Sequence, residues 1–236
     1  MAIAPFLAMT AAEICACPVL PPKIAWMACH FSPYGLGLSN LPRTLPPGSL
    51  LMVDDITPPH EHDPALIGKQ LHSCVEALQC NAVLLDLQRI GSSKAQNIAQ
   101  HLTKALPCPV VVSEAYACQL DCPVLLPFLP PSVALKSYLE PWEGRDVWVE
   151  IGLTGEQILL TEKGSRTTPL PYPDIEKDGL SDPVLHCHYC IETNKTSAGF
   201  TLWRRSEDLD TLLEEAEALG VAGALGLFQE LEKFQK

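Results

Sequence analysis

What most constrains this chain is a rhythm. Short runs of Val, Ile and Leu recur, and several alternate with segments of helical spacing. Residues 24–30 read as the first strand, followed by a Pro/Gly-rich loop to Gly48, and residues 49–55 as a second strand ending in Asp54 and Asp55. Residues 64–79 have helical spacing, with Ile67, Leu71, Val75 and Leu78 on one face. Residues 82–88 form a third strand, and residues 92–106 a helix capped by Ser92 or Ser93. Residues 109–116 and 123–128 are further short strands, and residues 132–142 a short helix. Beyond these the rhythm changes. Residues 147–153 and 157–162 flank Thr154-Gly155 and read as a β-hairpin, and residues 166–183 carry four prolines and read as a loop. Residues 184–192 and 199–205 flank a polar Thr-Asn-Lys-Thr turn. The amphipathic segment 208–219 closes at Gly220 before the apolar run 221–228.

Repeated strand–helix units through most of 236 residues predict a single α/β domain, a (β/α) barrel rather than an open sheet. A full barrel usually takes roughly 250 residues, so a reduced or irregular TIM barrel with a β-hairpin insertion is expected. A flavodoxin-like sheet with an appended β-subdomain is the alternative.

With 47% apolar and 19% charged residues the chain is not mainly disordered. Its net charge of −12 argues against nucleic acid or an anionic membrane as partner. No apolar run is long enough to span a bilayer. The apolar start at 1–12 has no preceding Lys or Arg and is interrupted by Glu13, so it reads as part of the fold and the chain as cytoplasmic. Ten cysteines lack paired zinc spacing and are expected as thiols. No glycine-rich dinucleotide fingerprint occurs, and no cofactor is expected.

In a barrel, chemistry sits at the C-terminal strand ends. Polar residues gather there: His30, Asp54, Asp55, Asp86, Gln88, Glu114 and Glu150. Such an acidic mouth suits a sugar or a metal. Ordinary solvated strand ends are the alternative. Asp86 and Gln88 are two apart in a strand and share a face, and Glu114 ends the next predicted strand. Two carboxylates across a cleft can perform acid–base work on a glycosidic bond.

Two stretches carry a family resemblance. Residues 81–88, Asn-Ala-Val-Leu-Leu-Asp-Leu-Gln, are similar to Asp-Gly-x-Asp-x-Asp-x-Glu, the catalytic-strand pattern of family 18 (chitinase-like) glycoside hydrolases. Residues 188–231, with a hairpin, an acidic helix and a final Gly-Val-Ala-Gly-Ala-Leu-Gly-Leu-Phe run, resemble that family's C-terminal end. The resemblance implies a barrel in which Asp86 keeps the aspartate that orients a substrate N-acetyl group. Asn81 and Leu84 replace the two earlier aspartates, and Gln88 replaces the glutamate that serves as general acid. A glutamine amide cannot donate that proton. The expectation is therefore a degenerate relative that binds or weakly hydrolyses a carbohydrate. Asp86, Glu114 and Asp54 are the candidate catalytic residues. Gln88, Asp55, Glu150 and Phe228 are candidates for substrate binding, Phe228 as the aromatic floor.

Other clusters support different classes. Asp55, His60 and His62 could serve a metal-dependent hydrolase, although Asp63 before Pro64 reads as a helix cap. His186, His188 and Cys190 would share one strand face, with half-buried polar residues the plainer reading. Trp142, Trp148 and Trp203 could stack on sugar rings or fill the core. Arg204 and Arg205 are expected at a strand end facing the acidic helix. A non-catalytic structural or interaction protein is the remaining alternative.

Overall fold

A computed structural model describes residues 3–32, 35–38, 45–57, 59, 62–170 and 178–231. In chain order the elements are β1 (Phe6–Met9), α1 (Ala11–Ala16), β2 (Ile24–Ser32), β3 (Gly35–Leu38), β4 (Leu50–Asp54), α2 (Pro64–Leu78) and β5 (Ala82–Asp86). There follow α3 (Ser93–Ala105), β6 (Val110–Ser113), α4 (Glu114–Ala117), β7 (Val124–Leu126), α5 (Leu135–Leu139) and β8 (Val147–Glu150). The chain then forms β9 (Gly155–Thr161), β10 (Gly164–Leu170), β11 (Leu180–Asp182), β12 (Cys187–Thr193), β13 (Ser197–Trp203), α6 (Ser206–Ala218) and β14 (Gly223–Leu227).

Eight parallel strands, β1, β2, β4, β5, β6, β7, β8 and β14, close into a barrel, because β1 pairs with both β14 and β2. Closure excludes the open flavodoxin-like sheet. Period-two alternation explains why the barrel holds. Ala8, Ala25, Leu50, Met52, Leu84, Val111, Leu125 and Leu225 fill its interior. Their neighbours Leu51, Val53, Val83, Leu85, Val112 and Val149 point outward into the larger core shared with the helices. At the N-terminal end Trp148 packs on Phe6, ring centroids 5.4 Å apart, and lies across Gly223, where a Cβ would stand 2.6 Å from the indole. Trp148 is thus a barrel plug.

The barrel fits a shorter chain because several crossovers are small. α1, α4 and α5 have 6, 4 and 5 residues, and β3 runs antiparallel on β2 where a helix would otherwise return. The longer helices start as their sequences direct. Asp63 Oδ1 accepts the amide of Ala65 ahead of Pro64, and Ser92 Oγ accepts that of Ala95.

Four expectations are corrected. The first strand is β1, inside the apolar start, since its four residues are too few to show a period. Residues 147–162 are not a hairpin. β8 pairs parallel with β7 and β14, whereas β9 pairs antiparallel with β10 and β13 in a second sheet. The insertion between β8 and α6 is therefore a five-stranded antiparallel sheet, ordered β10-β9-β13-β12-β11. The Pro-rich loop contains β10 and β11, and Pro169 is accommodated because β10 is an edge strand with no partner to bond on one side. Glu114 does not end a strand: it opens α4, after Ser113.

Candidate active site

The C-terminal strand ends do converge on a cleft of about 490 Å³, lined by Asp86, Gln88, Glu114 and Glu150 among polar groups and by Leu125, Pro127 and Phe128 among apolar ones. Asp86 lies in register with Asp54 on the neighbouring strand. It shares the inward face of β5 with Leu84, whose side chain is fully buried in the barrel. Gln88, just past the strand, donates its side-chain amide to Asp86 Oδ1 at 3.2 Å and Oδ2 at 3.4 Å. Gln88 is therefore a hydrogen-bond donor to the aspartate.

Gln88 is held firmly. Asp55 is buried, and its carboxylate accepts the backbone amides of Gln88 (3.0 Å) and Arg89 (2.9 Å). Arg89 Nε returns a bond to the Asp55 carbonyl at 2.7 Å, and the Tyr116 hydroxyl donates to the Arg89 carbonyl. Ser113 Oγ accepts the amide of Leu87 and donates to the carbonyl of Leu85, both at 2.8 Å. The adjacent aspartates thus part company. Asp54 faces the mouth, with its Oδ1 accepting the amide of Ile56 at 3.0 Å, and Asp55 ties down the next loop.

The electrostatics follow from burial. Burial pushes the Asp54 carboxyl above its ordinary range, against the Ile56 amide and nearby His30, while Asp55 adds to the rise. Burial also raises Asp86, as do Asp54 and Asp55, whereas the Gln88 amide favours its ionised form. Glu150 is pushed up to about 7, first by burial and then by the charge of Asp86. Tyr138 donates its hydroxyl to the Pro127 carbonyl at 3.0 Å. Its pKa is raised by burial and by Glu114 and Glu150, which places it beside both carboxyls.

A pH dependence of stability follows. Unfolded, Glu150 titrates near its ordinary 4.5, and folded at about 7, so between these values the native state binds the proton more tightly. Its contribution is greatest at low pH and is lost as pH rises through that window. Allowing for partial exposure, the loss is of the order of 2 kcal/mol, or about 4–8 °C in Tm for a chain of this size. Glu150→Gln is expected to flatten the fall in Tm between pH 5 and 8 measured by calorimetry. Asp54 and Asp86, raised in the same direction, account for the slope that remains.

Other sequence candidates lie elsewhere. Phe228 packs against the outer core rather than lining the cleft. Phe128 supplies an aromatic wall: its ring lies on Gly152, where a Cβ would stand 2.6 Å from it. The alternation along β7 that puts Leu125 inside also puts Pro127 there, whereas Phe128 lies in the loop beyond the strand, where alternation no longer places it. His60 lies outside the described residues. Among the described residues no group of three His, Cys, Asp or Glu side chains is placed to hold a metal. His186 instead meets Glu215 at 2.6 Å, and His188 meets Asp208 at 3.0 Å. Trp203 is buried in the inserted sheet, stacked on His188. No described helix is long and apolar enough to cross a membrane.

No family model and no curated protein sequence matches the chain. Solved structures do. A family 18 N-acetylglucosaminidase from Paenibacillus barengoltzii superposes with a TM-score of 0.63 at 9% identity, covering 99% of this chain and 98% of that one. A family 18 chitinase from Cycas revoluta, carrying a glycine-to-tryptophan and a glutamate-to-glutamine substitution and holding (GlcNAc)4, gives 0.58 at 11% identity, covering 98% and 97%. The spore cortex-lytic enzyme SleL of Bacillus cereus gives 0.56 at 9% identity, covering 95% of this chain and 70% of that one. At 9–11% identity these likenesses show that the chain shares the barrel fold of those structures while its sequence has diverged far from theirs.

Proposed function

We propose that this protein binds a carbohydrate at the C-terminal mouth of its barrel, and that the acid–base route of the family it resembles is absent from it. One observation carries the reading: Gln88, which the sequence resemblance sets at the acid position, gives its amide to Asp86 inside a cleft lined by both apolar groups and carboxyls. A sugar ring presents both kinds of surface, apolar C–H faces for Phe128 and hydroxyls for Asp86, Glu114 and Glu150. The substituted Cycas chitinase supports the reading, since a glutamate-to-glutamine change there accompanies bound (GlcNAc)4. The metal-dependent alternative built on Asp55 is disfavoured because that carboxylate is engaged by two backbone amides.

Thermal shift of the full chain with (GlcNAc)4 tests this. A ligand at a hundredfold its Kd adds about 2.7 kcal/mol, roughly 5–10 °C for a protein of this length. We expect the shift in the wild type and its loss in Asp86→Ala. No shift at millimolar (GlcNAc)4 or with other glycans would reject the reading.

A further inference from the structure

We infer that Glu150 is the proton donor of the mouth and Asp86 its basic partner, so that the site hydrolyses a glycosidic bond by a carboxyl pair displaced from the family position. The inference rests on the carbohydrate reading above. It starts from what the glutamine does. Gln88 donates to both oxygens of Asp86, which favours the carboxylate over the acid. Glu150 projects into the same cleft from β8, three strands round the barrel, and among the described residues no side chain donates to it. It shares the cleft with the apolar groups Leu125, Pro127 and Phe128. The titratable groups about this end are His30 from β2, Asp54 from β4 with Asp55 beside it, Asp86 from β5, Glu114 from α4 and Tyr138 from α5. His30 acts on Asp54, whereas the charge that acts on Glu150 is that of Asp86.

Two carboxyls in one cleft, one bonded by an amide that favours its carboxylate and the other without such a donor among the described residues, are an arrangement that acid–base hydrolysis can use. Here Asp86 carries the charge and Glu150 the proton, and burial with the Asp86 charge keeps that proton on Glu150 up to about pH 7. In the step, the Glu150 proton passes to the glycosidic oxygen. The bond from that oxygen to the anomeric carbon breaks, its electron pair remaining on the oxygen. A water oxygen bonds to the anomeric carbon and gives its proton to Asp86. Glu150 ends ionised and Asp86 protonated, and exchange with solvent restores both. No oxidant, reductant or metal is required.

The test uses the full chain, (GlcNAc)4 with chromatographic product analysis, and a dinitrophenyl glycoside of the GlcNAc dimer, whose leaving group departs without protonation. Glu150→Gln is expected to slow (GlcNAc)4 hydrolysis by about 10²–10⁴-fold and dinitrophenyl release by at most about tenfold. It should also abolish the decline in rate above about pH 7. Equal losses on both substrates, hydrolysis unaffected by the substitution, or a wild type that binds (GlcNAc)4 without cleaving it would each overturn the assignment and leave the binding reading standing. A wild type that neither binds nor cleaves any glycan would reject both.

Discussion

Arg204→Ala is expected to lower the unfolding free energy by about 3–5 kcal/mol, the scale seen when one partner of a buried charge network is removed. Arg204 follows directly after β13 and is only 3% exposed. Its guanidinium donates to the carbonyls of Leu129, Pro130 (3.2 Å), Leu185 (3.4 Å) and His186 (3.2 Å). The first two follow β7 of the barrel and the last two precede β12, so one side chain clasps the inserted sheet to the barrel. Burial lowers its pKa to about 10, and nearby Asp208 and Glu156 oppose that fall. Glu156 is itself buried and accepts the amide of Ser132 at 2.5 Å. Removing the guanidinium would take its donors from four carbonyls. Arg204→Lys should recover only part of the loss, because a single ammonium cannot span carbonyls on two segments. Urea denaturation checks this, and an unchanged midpoint in Arg204→Ala would show that the clasp contributes nothing.

The second large effect is expected at Asp55. Asp55→Ala removes the acceptor for two partly buried amides and should cost about 2–3 kcal/mol. It also frees the loop that aims Gln88 at Asp86, so the (GlcNAc)4 thermal shift should shrink although Asp55 does not line the cleft. Asp55→Asn keeps one acceptor oxygen but turns an NH2 toward the other amide, and should fall between. Thermal denaturation with and without (GlcNAc)4 separates the two effects. A full ligand shift in Asp55→Ala would mean that Gln88 needs no such support.

Much of the scaffold was legible because its signals are local. The helix beginning at Pro64 declares itself through Asp63, the one beginning at Ser93 through Ser92, and the barrel strands through alternate inward and outward residues. What escaped was non-local. β1 is four residues long and is a strand because β14 and β2 stand on either side of it. Thr154-Gly155 has the look of a hairpin turn, but β8 satisfies its backbone on barrel neighbours, one of them about 75 residues downstream, so the chain leaves for another sheet. Arg204 was expected to face the acidic helix, and it does lie near Asp208 there, but its guanidinium also enters carbonyls that no sequence window places beside it.

The sequence by itself determined the period of the longer elements, the caps, and the residue types available at the strand ends, Gln88 among them. Tertiary structure decided which of those residues meet. Asp54 and Asp55 are neighbours of the same chemistry, yet one joins the mouth and the other binds a loop more than thirty residues away. Glu150 is chemically ordinary until barrel closure brings it, desolvated, within the field of Asp86, 64 residues earlier in the chain. Hydrogen-bond geometry and desolvation depend on distance in space, and a linear pattern carries that distance only within one element.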